Sequence, residues 1–170
     1  MKLDKTFKTI LLAAGCVLLL CGCTKSNIVR TDETLGPDFN YYSDIEIDES
    51  QLHDDVNDIY LDPIDYPMAS AIDFKLHLDE AYIDIDVIVK DGTSPEDTAW
   101  FADQAIKGIN DQVCVQDFSY GESDDDTFGG LYQDNEIHLK VYDESSYKNG
   151  TPLYETEIPM DAYMTFEIAS

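Results

Sequence analysis

Two runs of residues alternate between apolar and polar side chains, the first at residues 71–78 and the second at residues 82–90. Period-two alternation is typical of β-strands with one buried face, and the short polar segment between the runs favours an antiparallel hairpin. The apolar side consists of Ile72, Phe74, Leu76, Leu78, Ile83, Ile85, Val87 and Val89. The polar side carries Asp73, Lys75, His77, Asp84, Asp86 and Lys90.

The charges on the polar side favour one register of this hairpin. In that register His77 lies opposite Asp84 and Lys75 lies opposite Asp86. Opposite charges facing each other across two strands stabilise a pair by about 0.2–1 kcal/mol, whereas like charges destabilise it. Because a register shifted by two residues would set Asp73 opposite Asp86, we expect the first register.

A helix is predicted to follow the hairpin. Ser94 is a suitable N-cap, Pro95 suits the first helical position, and Glu96 and Asp97 place carboxylates in the first turn. The apolar residues at helical spacing are Phe101, Ala102, Ala105, Ile106 and Ile109. Gly108 and Asn110 indicate that the helix ends near these positions.

Further strands are expected at residues 113–120, 136–142, 153–158 and 164–168. A loop is expected at residues 121–133, and Asn149-Gly150 indicates a two-residue hairpin turn. The order strand, strand, helix, strand, strand, strand predicts an α+β fold. Its antiparallel sheet of about five strands would carry one helix on one face and would span residues 69–170.

Residues 23–68 are predicted to form an acidic tether that is partly disordered. High charge and few aliphatic residues leave little apolar surface to bury. We expect residues 24–36 to be flexible and residues 37–68 to be extended or locally ordered. A simple spacer has no need of aromatic residues, so the five present here suggest that the segment docks onto the domain or onto a partner. They are Phe39, Tyr41, Tyr42, Tyr60 and Tyr66.

The chain begins with three lysines among its first eight residues, followed by the apolar residues 9–20 and by Leu20-Cys21-Gly22-Cys23. This arrangement resembles the signal peptide and lipobox of bacterial lipoproteins, over residues 1–23 only. The resemblance implies removal of residues 1–22, attachment of lipid (diacylglycerol and palmitate-like chains) to Cys23, and a location on the extracytoplasmic side of the cell membrane. A spanning helix needs about 20 apolar residues, more than are present, and an ordinary signal peptide needs no cysteine.

The balance of charge limits the partners. Removal of residues 1–22 takes away three lysines and one aspartate, so 7 basic and 35 acidic residues remain and the formal net charge changes from −26 to −28. Nucleic acids and anionic membrane surfaces are bound through clustered Lys and Arg, so both are excluded as ligands of the domain itself. A cationic or envelope protein partner is compatible with this charge.

The sequence contains no recognisable catalytic motif. After export and lipidation Cys114 would be the one free cysteine, so no internal disulfide is expected. We expect Cys114 to lie in a strand as a small buried hydrophobe, because no histidine base is near it in the sequence. No serine-nucleophile motif or phosphate-binding glycine loop is present, and no cofactor is expected.

Metal-binding candidates are weak. Asp124, Asp125 and Asp126 form an acidic loop that would suit Ca²⁺. Tested against the EF-hand spacing, ligand positions fall on Phe128 and Asn135, so a solvated loop is favoured.

The histidines do not match a zinc spacing either. His53, His77 and His138 are too irregularly placed in the sequence. The rings of His77 and His138 would approach if their strands were neighbours, although pairing with Asp84 or Lys140 is the commoner outcome.

Together these observations favour a non-enzymatic lipoprotein whose domain binds a partner or a ligand. The candidate binding face carries Lys75, His77, Asp84 and Asp86, with the loop at residues 124–126 as a second candidate surface. The alternatives are a metal-assisted hydrolase that uses the acidic loop and a structural component of envelope assembly.

Overall fold

Four β-strands and three α-helices form the part of the chain that the computed structural model describes, residues 46–168. In chain order they are α1 (Glu49–Tyr60), β1 (Ala69–His77), β2 (Tyr82–Val89), α2 (Pro95–Gln116), a 3-10 helix (Gly130–Gln133), β3 (Glu136–Asp143), α3 (Glu144–Asn149) and β4 (Tyr154–Ile158). The α+β class is confirmed. Within residues 46–168 no helix combines the length and the apolar character that crossing a membrane requires.

The strands form one mixed sheet in the order β1-β2-β3-β4. β1 and β4 run antiparallel to their neighbours, whereas β2 and β3 pair in parallel. The chain leaves the end of β2, passes through α2 and its following loop, and enters β3 at the end where β2 began. A long helical connection of this kind permits parallel pairing. The expectation of about five antiparallel strands with one helix is therefore wrong in the described residues.

Helix α2 is longer than the sequence predicted and includes residues 113–116, the first half of the strand expected at residues 113–120. It continues past Gly108 to Gln116, because Val113 and Cys114 extend the buried stripe of the helix. This helical position carries a glycine because the ring of Tyr60 packs closely against it, and a Cβ atom at Gly108 would collide with that ring. The strand expected at residues 113–120 is absent from the structure, and residues 117–120 are irregular.

Helix α1 lies within the segment expected to be a tether. Its side chains Leu52 and Val56 are completely buried in the core. Asp48 caps the helix through the N–H of Gln51, at 3.1 Å. The backbone of Asp48 is also held by Gln116 of α2, whose Oε1 accepts its N–H at 2.7 Å and whose Nε2 donates to its carbonyl at 3.2 Å. The folded unit therefore begins before residue 69, whereas residues 1–45 and the lipid site Cys23 lie outside the described residues.

The connection between β3 and β4 differs from the expected two-residue turn. Residues 144–149 form the short helix α3, and Gly150 caps its C-terminus. The returning strand is confirmed as β4, Tyr154–Ile158. Residues 164–168 do not form a strand, yet their alternation is real, because Phe166 is buried and its neighbours Thr165 and Glu167 are exposed.

The loop between α2 and β3 is organised by the fully buried side chain of Asn110. Its Nδ2 donates to the carbonyl of Gly121 at 3.0 Å, and its Oδ1 accepts the N–H of Leu131 at 2.9 Å. Gly129 lies directly against this side chain with φ 106° and ψ 179°, a conformation that is essentially restricted to glycine. One buried amide therefore ties both ends of the loop to the helix.

Candidate functional site

Eleven polar and aromatic side chains lie in three neighbouring rows on the sheet face opposite the core, and we call these three rows the polar face. Alternation along each strand and the pairing registers align them in three rows across the sheet. The rows are His77, Tyr82 and Glu136, then Lys75, Asp84, His138 and Glu157, and then Asp73, Asp86, Lys140 and Glu155. None of these residues is buried, so the polar face is accessible in the described part of the protein.

The register of the β1–β2 hairpin is the one that the charges disfavoured. Asp73 pairs with Asp86, Lys75 pairs with Asp84, and His77 faces Tyr82. The expected register, with His77 directly opposite Asp84 and Lys75 opposite Asp86, is therefore wrong. Two carboxylates of like charge lie opposite each other near the middle of the hairpin.

The turn explains this register. Residues 78–81 form a four-residue connection in which Ala81 adopts a left-handed φ of 59° and Glu80 N–H donates to the carbonyl of His77 at 2.9 Å. Leu78 consequently leaves the strand and is 41% exposed. Turn geometry generally determines hairpin register. The contact between these two side chains survives diagonally, because His77 Nε2 lies 3.2 Å from Asp84 Oδ2.

A stack of three rings crosses the sheet at one end of the polar face. The ring of Tyr82 lies between those of His77 and His138, with centroid separations of 4.3 and 4.7 Å and an angle of 18° to each. Asp84 contacts both imidazoles, since its Oδ1 lies 3.3 Å from His138 Nδ1. The two histidines therefore share a carboxylate and an aromatic partner instead of contacting each other. The sequence indicated Asp84 as a partner of the histidines, but it indicated neither the role of Tyr82 nor that both rings contact the same carboxylate.

Asp86 is the carboxylate with the least favourable surroundings on the polar face. Its partial burial is the largest cause of a raised pKa, Lys140 counteracts this effect, and Asp73, Asp84 and Glu155 raise the pKa further. Lys140 itself lies 3.9 Å from Glu155. Among residues 46–168 neither Asp73 nor Asp86 has a basic nitrogen within 4.0 Å. The facing carboxylates thus have no ion-pair partner within 4.0 Å in this part of the chain, and Lys140, which lies opposite Asp86 on β3, offsets their repulsion only in part.

Two adjoining depressions run across the polar face, and we call them together the sheet groove. One has a volume of about 410 Å³ and reaches from α1 to β3, and the other has about 270 Å³ and reaches from β2 to β4. Both depressions are lined by Asp84, His138 and Lys140, and these shared residues connect them. His53 of α1 forms a wall at the β1 edge, where its ring stacks on Phe74 at 3.9 Å.

The acidic loop is not part of the sheet groove. Asp124, Asp125 and Asp126 are exposed, and Asp124 Oδ1 accepts the N–H of Asp126 at 2.8 Å. Nearby, the carboxylate of Asp111 accepts both the N–H and the hydroxyl of Ser123, each at 2.8 Å. In residues 46–168 no group of three or more His, Cys, Asp or Glu side chains is placed to hold a metal ion.

Cys114 is buried as predicted, although it lies in α2 and not in a strand. Its Sγ is 3.3 Å from the carbonyl of Gly121. Burial, followed by the nearby carboxylates of Asp111 and Glu122, raises the pKa of the thiol. A raised pKa lowers the fraction of reactive thiolate, so this cysteine has the properties of a packing residue.

Comparisons with protein-family models, with curated proteins and with solved structures found no match for this chain. The function is therefore inferred from the residues and their geometry.

Proposed function

We propose that the chain is an exported lipoprotein, anchored to the outer side of the cell membrane through Cys23, whose domain binds a basic protein partner on the polar face. Binding, not catalysis, is its activity. The observation that carries this proposal is the pair Asp73 and Asp86, which face each other on an accessible sheet surface with no basic nitrogen of the described residues within 4.0 Å and with Lys140 offsetting their repulsion only in part.

A solvated sheet face is by itself ordinary in a protein with antiparallel strands. Facing carboxylates are not, because like charges directly opposite destabilise the strand pair. Local rules of stability are generally broken where function requires it. A basic side chain from a partner would supply the missing counter-charge, and the large negative charge of the chain would accelerate its approach.

The anchor follows from the resemblance of Leu20-Cys21-Gly22-Cys23 to a lipobox. Each buried CH₂ group of an acyl chain contributes about 0.8 kcal/mol, so a lipid with two or more chains holds a protein stably at the membrane.

Substitution Cys23→Ala tests the anchor. In bacterial cells supplied with a clickable palmitate analogue, the wild-type chain is expected to be labelled and to fractionate with membranes. The Cys23→Ala variant is expected to carry no label, because the thioether to the lipid cannot form without the sulfur of Cys23. Cys16→Ala removes a cysteine of the signal segment and is expected to behave as wild type. Label on the Cys23→Ala chain would contradict the anchor.

Substitution Asp86→Asn tests whether the facing carboxylates are kept for binding at a cost in stability. Because the pKa of Asp86 is raised in the folded protein, ionisation of this carboxyl disfavours folding. The corresponding stability is complete below the usual pKa of 3.8 and is lost as the pH rises through the higher folded-state pKa. At neutral pH we expect Asp86→Asn to raise the melting temperature by about 1–4 °C, and below pH 3.8 the difference from wild type should disappear.

The same variant is expected to bind less of its partner. Cross-linking in intact cells, followed by purification of the chain, would measure the partner recovered with wild type, with Asp86→Asn and with Asp125→Asn. Asp125 lies on the exposed acidic loop, so its substitution changes the net charge equally but leaves the polar face intact. Equal recovery with Asp86→Asn and wild type would exclude the polar face as the binding surface.

A further inference from the structure

Building on the proposed function, we infer that the sheet groove binds an extended segment of the partner that carries two basic residues three positions apart, in the pattern basic-x-x-basic. The partner's identity is left open by this inference, but the chemistry and spacing of the segment are specified. Three observations support it: the shape of the groove, the alternation of charge along it, and the separation of its acidic positions.

The sheet groove crosses the strands and does not follow them. It is bounded by α1 at one end and by β4 at the other, and its two depressions share lining residues. An open channel of this form accommodates a chain lying across the sheet. It offers no enclosed pocket in which a small molecule would be surrounded.

From β2 to β4 the charges along the groove change sign from strand to strand. β2 contributes the carboxylates of Asp84 and Asp86, β3 contributes the ammonium group of Lys140, and β4 contributes the carboxylates of Glu155 and Glu157. At the β1 end the groove carries one charge of each sign, Asp73 and Lys75. A uniformly basic ligand would meet Lys140 at the centre. A ligand with separated basic groups and a neutral stretch between them matches the groove better.

The separation of the two acidic positions sets the spacing. β2 and β4 are two strand positions apart, which corresponds to about 9.6 Å at the usual distance between strands. One turn of a polyproline II helix advances three residues and about 9.3 Å, and it returns a side chain to the same face of the chain. Residues i and i+3 of an extended segment in this conformation would therefore meet the β2 and β4 carboxylates together.

Fluorescence anisotropy with labelled synthetic peptides tests the inference on the full lipidated chain in micelles of an uncharged detergent. One peptide carries two arginines three positions apart in a proline- and alanine-rich segment. A second has the same composition with the arginines adjacent. We expect the spaced peptide to bind about five- to tenfold more tightly, with an affinity that falls as salt is added, because its charges are matched to the groove.

Three variants locate the binding. Asp86→Asn and Glu155→Gln remove one charge each from the two acidic positions of one row, and each is expected to weaken the spaced peptide about three- to tenfold. Asp125→Asn, off the polar face, is expected to leave its affinity unchanged. An unchanged affinity of the spaced peptide for both groove variants would overturn the inference. Equal displacement of the spaced and the adjacent peptide by spermidine would also overturn it, because this result would indicate an unspecific attraction of cations.

The outcomes also separate this inference from the proposed function. If the two peptides bind equally, or neither binds, while Asp86→Asn still reduces cross-linking to the partner in cells, the spacing is wrong and the polar face remains the binding surface. If Asp86→Asn affects neither the peptides nor the cross-linking, both are overturned.

Discussion

Replacing Gly129 with alanine is expected to lower the free energy of unfolding by about 3–5 kcal/mol, the sum of backbone strain and damage to a buried hydrogen-bond network. The φ of 106° at this position strains any residue with a Cβ atom. The new methyl group would also occupy the position of the Asn110 amide. Asn110 would have to move and would release its hydrogen bonds to Gly121 and Leu131.

Gly92→Ala is the matched control for this substitution. Gly92 also has a positive φ, 83°, but a Cβ atom there would have no neighbour within 4 Å. Its substitution should cost about 1–2 kcal/mol, from backbone strain alone. Urea unfolding followed by circular dichroism measures both values. Equal losses would show that Asn110 adapts to the added methyl group and that the loop does not depend on its position.

Leu52→Ala is expected to destabilise the protein by about 2–5 kcal/mol, the usual range for a large-to-small change in a core. Leu52 is completely buried although it belongs to a segment whose composition is typical of a tether. Ile59→Ala is the control in the same helix, because Ile59 is 45% exposed and its substitution should change stability by less than about 0.5 kcal/mol. Differential scanning calorimetry would report both changes. Similar small effects would mean that α1 contributes little to the folded unit.

The parts of the fold that depend on local patterns could be predicted. The alternation in β1 and β2 and the Ser94-Pro95 start of α2 are read from a few neighbouring residues, and the structure confirms them. The end of α2 was misplaced because Gly108 resembles a helix terminator. Its position is explained by Tyr60, a contact across 48 residues of sequence that no local pattern reveals.

Non-local pairing accounts for the other differences. Helix α1 buries only Leu52 and Val56 among many carboxylates, so its composition gave little indication of a packed element. The parallel pairing of β2 with β3 depends on how α2 returns the chain to the sheet. Neither feature has a signal within one segment.

Some residues of the candidate site could be predicted from the sequence, but its full membership and its arrangement could not. Alternation correctly placed Lys75, His77, Asp84 and Asp86 on one face. The alternation of β2 places Tyr82 on the same face, whereas His138 joined them only once β3 was known to lie beside β2. The register error arose because a preference of about 1 kcal/mol between charges was weighed without the geometry of the turn.

The parallel pairing of β2 and β3 also determines at which stage of folding the complete polar face forms. Asp73 and Asp86 meet in a hairpin closed by four residues, whereas Lys140 and Glu155 can join them only after residues 90–135 have been folded back. Contacts between distant segments form late because loop closure costs entropy. A folding chain would therefore present its repelling carboxylates before the rest of the sheet groove, and recognition of a spaced basic segment, as proposed above, would mark a molecule whose sheet is complete.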